Sequence, residues 1–127
     1  MKSKLAAMAI ILALAAQAHA ELPSASAAAI QQALTSGKPV VIDLGARTCI
    51  PCKKMAPILE GLSKEYRGKA NVLFIDVHAD RAAAEQFRIQ MIPTQIFFNA
   101  QGKEVKRHIG FLEKAEIVKY LQTAGLK

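Results

Sequence analysis

Apolar and polar positions along the chain follow two periods, and the switches between them mark its elements. Residues 24–36 are Ala-rich with Ile30 and Leu34 four apart and Gly37 after them, which predicts a helix with a glycine stop. Lys38-Pro39 opens a β-branched run, Val40-Val41-Ile42-Asp43-Leu44, bounded by Gly45, which reads as a buried strand carrying a single acid. From Cys49 to about Tyr66, Met55, Ile58, Leu59 and Leu62 recur at helical spacing between Lys and Glu residues. A second helix is expected there, kinked at Pro57 and closed by Gly68. Residues 71–77 form another buried strand, and Asp80 caps a short helix reaching to about Phe87.

After Met91-Ile92-Pro93-Thr94 the pattern predicts a third strand, Gln95-Ile96-Phe97-Phe98, with Phe97 and Phe98 facing opposite sides. Residues 99–102 are a turn by composition, and residues 104–109 a fourth strand of mixed polarity, placed toward an edge. Gly110 breaks that strand, and a last helix spans residues 113–123 with Ile117, Val118 and Leu121 on one face. This order predicts one α/β domain, a central sheet of mixed direction and about four strands with helices on both faces.

The first twenty residues lie outside that pattern. Lys2 and Lys4 precede an apolar run from Leu5 to Ala18, broken only by Gln17, and Ala18-His19-Ala20 follows. That is the order of a secretory leader, with cleavage expected between Ala20 and Glu21. The run falls short of the roughly 20 residues that a bilayer-spanning helix needs. Residues 21–127 then form the domain, and export to the periplasm, where disulfides can form, is expected.

Composition narrows the function. A chain that is 52% hydrophobic and 21% charged is no disordered polymer, and two cysteines exclude both a disulfide-dense scaffold and a four-thiolate zinc site. The formal charge of +7 suggests an anionic partner at first. Loss of Lys2 and Lys4 leaves fifteen basic against ten acidic residues, and of these Arg47, Lys53 and Lys54 flank the cysteines. The rest are dispersed, so no nucleic-acid partner is expected. Lys103, Lys106, Arg107 and His108 read as a solvated strand edge. His78 and His108 lack ligand spacing to each other or to the cysteines, so no metal site is expected.

The chemistry falls on Cys49-Ile50-Pro51-Cys52. A bridge across so short a loop removes little entropy from the unfolded chain, so a structural staple is the weaker explanation. The pair lies between a strand and a helix, which puts Cys49 at the helix N-terminus, where unpaired N–H groups and the helix dipole favour a thiolate. Arg47, Lys53 and Lys54 act in the same sense. Cys52, one turn in, should be more buried. Thiolate Cys49 would attack a substrate disulfide, and Cys52 would then resolve the mixed disulfide. A base must deprotonate Cys52, and Asp43, alone in its apolar strand and raised by burial, is the candidate.

The stretch from Asp43 to Leu59, Asp43-Leu44-Gly45-Ala46-Arg47-Thr48-Cys49-Ile50-Pro51-Cys52-Lys53-Lys54-Met55-Ala56-Pro57-Ile58-Leu59, resembles the active-site segment of the thioredoxin family. Farther on, Ile92-Pro93-Thr94 resembles that family's cis-proline loop, and Gly110 a glycine beside its dithiol. The resemblance implies a thioredoxin fold. It also implies a thiol-disulfide oxidoreductase in which Cys49, Cys52 and Asp43 are catalytic and no cofactor acts beyond the Cys49–Cys52 pair. Thr48, Ile50, Pro51, Ile92, Pro93 and Gly110 would form the substrate surface, with Pro93 cis and the backbone at Ile92 pairing with extended substrate.

Ile92 and Pro51 resemble the reducing members, so a protein-disulfide reductase is expected, with disulfide oxidase or isomerase as the alternative in the same class. A Cu(I) or Zn metallochaperone using the two thiolates is the alternative from another class. The implied partners are protein disulfides and a membrane thiol-disulfide electron donor met transiently, and a monomer is expected. Three departures stand out. Thr48 replaces the usual Trp, Phe74 stands where many members place a Lys that pairs with the buried acid, and Glu21-Leu22-Pro23 is too brief for a first strand, which should be missing or vestigial.

Overall fold

Every residue of Val40–Gly45 (β1) is buried, because this strand lies between two neighbours and beneath helices on both faces. The computed structural model describes residues 21–127. The leader expected over residues 1–20 lies outside them. Around β1 the chain orders as α1 (Ala27–Leu34), α2 (Ile50–Glu65), β2 (Asn71–Asp76), α3 (Arg81–Gln86), β3 (Thr94–Phe98), β4 (Glu104–Ile109) and α4 (Lys114–Thr123). The sheet order is β2-β1-β3-β4, with β2 parallel to β1 and the other two pairings antiparallel.

Side-chain alternation divides the core in two. Val40, Ile42, Leu44, Ile96 and Phe98 pack with Ile30 of α1 and Ala83 of α3. Val41 and Phe97 face the other way, against Met55, Leu59 and Leu62 of α2 and Ile117 and Leu121 of α4. Phe97 and Phe98 therefore serve opposite cores, as their adjacency in a strand requires. Each fully buried Leu, Ile or Phe contributes roughly 1.5–3 kcal/mol, so the two layers rather than local propensity hold the frame.

Several boundaries differ from expectation for local reasons. α1 starts at Ala27, because Ser26 is extended and its hydroxyl accepts from the Ala29 N–H at 3.1 Å. β2 ends at Asp76 rather than residue 77; the Asp76 carboxylate turns the chain by accepting from the His78 N–H at 3.0 Å. α2 runs through Pro57 as one continuous helix, and Asp80 caps α3 by accepting from Ala83 N–H at 3.0 Å. Before α1 no strand forms among the described residues. Ser24 makes an isolated bridge to Phe74, supported by the Ala25 N–H donating to Phe74 O at 2.7 Å. Pro23 lacks the N–H that a longer ladder would use, which leaves β2 as a sheet edge.

Register fixes where the loops lie. Leu44 of β1 faces Thr94 of β3, and Thr94 faces Ile109 of β4. The segment after β1, the segment before β3 and the segment after β4 therefore leave the same end of the sheet.

Candidate active site

At that end the chain passes from Gly45 through Ala46-Arg47-Thr48 to Cys49, the N-cap of α2. Cys49 is extended (φ −82°, ψ 141°) and its sulfur accepts from the Cys52 N–H at 3.2 Å, the position a capping oxygen would take. Pro51 fits in the first turn because its missing N–H would find no intrahelical partner there. Cys49 and Cys52 are joined by a disulfide. Cys49 is half-buried, whereas Cys52 is 4% exposed, so only one sulfur is open to a partner.

Behind Cys52 lies Asp43, fully buried on β1. Its Oδ1 accepts from Gln95 Nε2 at 2.8 Å, while Oδ2 has no hydrogen-bond partner. Burial pushes the carboxyl from 3.8 up to about 6, against the lowering effect of the Gln95 hydrogen bond. Gly45 connects the acid to the dithiol. A Cβ on Gly45 would lie 3.5 Å from Asp43 Oδ2 and 3.2 Å from Cys52 Sγ, so the unpaired oxygen and the inner sulfur flank one small space. A carboxylate raised to near neutrality beside a buried thiol can accept its proton at physiological pH.

The other two loops complete the surface. The Ile92–Pro93 peptide is cis, Pro93 is buried, and its carbonyl accepts from the Gly110 N–H at 2.7 Å. Gly110 has φ +98°, a conformation that side chains rarely adopt. Thr48 is exposed, Ile92 half-buried and Ile50 72% exposed; Met91, Phe111 and Ile109, the last residue of β4, are exposed apolar residues nearby in the chain. The Cys49–Cys52 loop, the Ile92–Pro93 loop and Gly110 thus lie at one end of the sheet.

Some electrostatic expectations change. Arg47 does not stand free beside Cys49: it pairs with Glu21 at 3.0 Å, donates to Leu22 O and lies 4.3 Å over the Phe74 ring. Its charge is shared with an acid and an aromatic face. The basic run lies at the exposed edge strand β4, as expected, but alternation splits it between two faces. Lys106 lies 5.0 Å over the Tyr120 ring, Arg107 pairs with Glu104 at 2.7 Å and donates to Phe87 O, and His108 Nδ1 is 2.9 Å from Gln95 Oε1. Sequence reasoning passed over Gln95 and Gly45. Gln95 carries the same signal as Asp43, a polar residue in an apolar strand, whereas Gly45 offers none before the fold is known.

A vicinal disulfide-forming pair at a helix start, one sulfur open and the other against a buried acid, defines a thiol-disulfide oxidoreductase. Residues 21–123 match the thioredoxin family model, and the chain belongs to the thioredoxin family. It is 38% identical over 82 residues to the thioredoxin of Staphylococcus saprophyticus, covering 65% of this chain and 78% of that one. A thioredoxin-like protein of Synechocystis is 40% identical over 87 residues, covering 68% and 82% of the two chains. A bifunctional thioredoxin reductase/thioredoxin of Mycobacterium leprae is 40% identical over 88 residues, or 69% of this chain, which spans only 19% of that protein. Among solved structures, chloroplastic thioredoxin z superposes with a TM-score of 0.70 at 27% identity, covering 83% of this chain and 95% of that one. Fasciola hepatica thioredoxin gives 0.66 at 28% identity, with 77% and 93% covered.

Proposed function

We propose that this protein is an exported protein-disulfide reductase working in the periplasm as a monomer and recharged by a membrane thiol-disulfide electron transporter. The asymmetry of the pair carries the reading: an accessible Cys49 at a helix N-terminus over an enclosed Cys52 beside Asp43. In the reduced protein the Cys49 thiolate attacks one sulfur of a substrate disulfide, and the other substrate sulfur leaves as a thiolate. Asp43 takes the Cys52 proton. The Cys52 thiolate attacks Cys49 Sγ, the second substrate thiolate departs, and two electrons have passed to the substrate. Thr48, Ile50, Pro51, Ile92, Pro93 and Gly110 supply the docking surface for an extended segment.

Pro51 and Ile92 support the reducing direction, as does the absence of histidine between the cysteines, where no imidazole stabilises the thiolate. The apolar leader supports export. In redox buffers the mature protein is expected to equilibrate near the thioredoxin potential of about −270 mV; a value near about −120 mV would make it an oxidase. Cys52→Ser in the envelope is expected to accumulate mixed disulfides through Cys49 that name the clients. Sequencing of the envelope protein is expected to start at Glu21. Stoichiometric copper or zinc with no disulfide reduction would replace this reading by a metal carrier.

A further inference from the structure

Asp43, Gln95 and His108 form a row across three strands. Asp43 faces Gln95 in the β1–β3 register, and Gln95 faces His108 in the β3–β4 register. Gln95 is fully buried, so both ends of its amide need partners. An ionised carboxylate only accepts, so Nε2 must be the end facing Asp43, at 2.8 Å. That orientation turns Oε1 toward β4, where it needs a donor, and His108 Nδ1 stands 2.9 Å away. The proton on Nδ1 is thereby assigned, and both hydrogen bonds point toward the carboxylate, each polarising the next.

We infer that Gln95 and His108 are positioning residues for Asp43: Gln95 occupies Oδ1 and His108 holds Gln95, so the oxygen left to exchange a proton is Oδ2, the one beside Cys52. The inference rests on the reading of Asp43 as the base for Cys52. The row also supplies polar support to the ionised acid from the β3 side, whereas Phe74, its β2 neighbour on the other side, offers none. The elements packed on this face of the sheet carry other ionisable groups. Cys52 lies on α2, Lys106 on β4 sits against Tyr120 of α4, and Glu113 and Glu116 begin α4. Arg47 and Lys53 border the cleft at Cys52, with Arg47 held by Glu21, and Glu60 of α2 is bonded to Lys64 at 2.9 Å.

Carboxyl carbon-13 resonances of the oxidised mature protein read the Asp43 titration without any catalytic step. Gln95→Leu is expected to move that titration upward by about one pH unit, since a hydrogen bond to the charged form is lost. His108→Leu should move it the same way by a smaller amount. His108→Asn, whose side-chain amide can place a donor near the Nδ1 position without any charge, should restore it. An unmoved titration in His108→Leu, or no recovery in His108→Asn, overturns the role of His108 even where Gln95→Leu fails to fold. Single-turnover resolution of a mixed disulfide, followed against pH, separates this from the base reading. A moved titration with an unmoved rate profile supports the row and rejects Asp43 as the base.

Discussion

Replacing Cys49 by serine is expected to lower the rate of protein-disulfide reduction by roughly a thousandfold or more while leaving the fold intact. The rate falls because the attacking atom must be a thiolate at working pH, and a hydroxyl at the same helix N-terminus stays protonated. A loss of this order is usual when the nucleophile of a concerted set is removed. The fold survives because Cys49 is the N-cap of α2 and its sulfur already accepts from the Cys52 N–H. Serine is among the best residues for that position. The bridge it removes spans a separation of three residues and restrains the unfolded chain little. Turnover of a model disulfide, measured beside the urea midpoint, checks both halves. A comparable fall in stability would mean that the pair is structural.

Asp43→Asn is expected to raise stability and lower activity. Burial raises the acid to about 6 in the folded protein from 3.8 for a free carboxyl, so between those values the native state holds the proton more firmly than the unfolded chain does. Its contribution is therefore most favourable below about pH 4 and is lost as pH rises through about 6. At neutral pH the buried charge costs about 3 kcal/mol. Asparagine keeps an acceptor for Gln95 but places amide hydrogens where Oδ2 stands unpaired, which returns about 1 kcal/mol. The net expectation is about 2 kcal/mol of added stability at pH 7, vanishing near pH 4, as read from urea unfolding of the oxidised protein at the two pH values. Turnover at pH 7 should fall roughly a hundredfold, the usual size of a lost proton acceptor. Equal stability of the two proteins at pH 7 would show that the carboxylate is not held against its desolvation.

The dithiol and Asp43 were legible because each is a departure from a regular pattern: two cysteines at helix-turn spacing and one acid inside an apolar run. The eight elements were legible for the same reason, and their ends moved by a few residues where a side chain competed for backbone, as at Ser26 and Asp76. What stayed hidden depended on register. Gln95 is as conspicuous in its strand as Asp43, yet the two meet only because β1 and β3 pair across 52 positions of sequence. His108 looked like one of four basic surface residues until pairing with β3 turned it and Lys106 to one side and Arg107 to the other. Arg47 reaches Glu21 across 26 positions, beyond any local pattern.

The central place of β1 sets a hierarchy of opening. Its backbone is bonded on both sides and wholly enclosed, whereas β2 has an unladdered outer edge except near Phe74. Amide exchange should therefore be fast along the outer rows of the edge strands β2 and β4 and slowest in β1, where it waits for the whole domain to unfold. Asp43 rides on that last-opening strand. Its proton traffic in the folded state cannot depend on breathing of the sheet, and must run through side chains at the dithiol end, one turnover at a time, on a frame that stays shut.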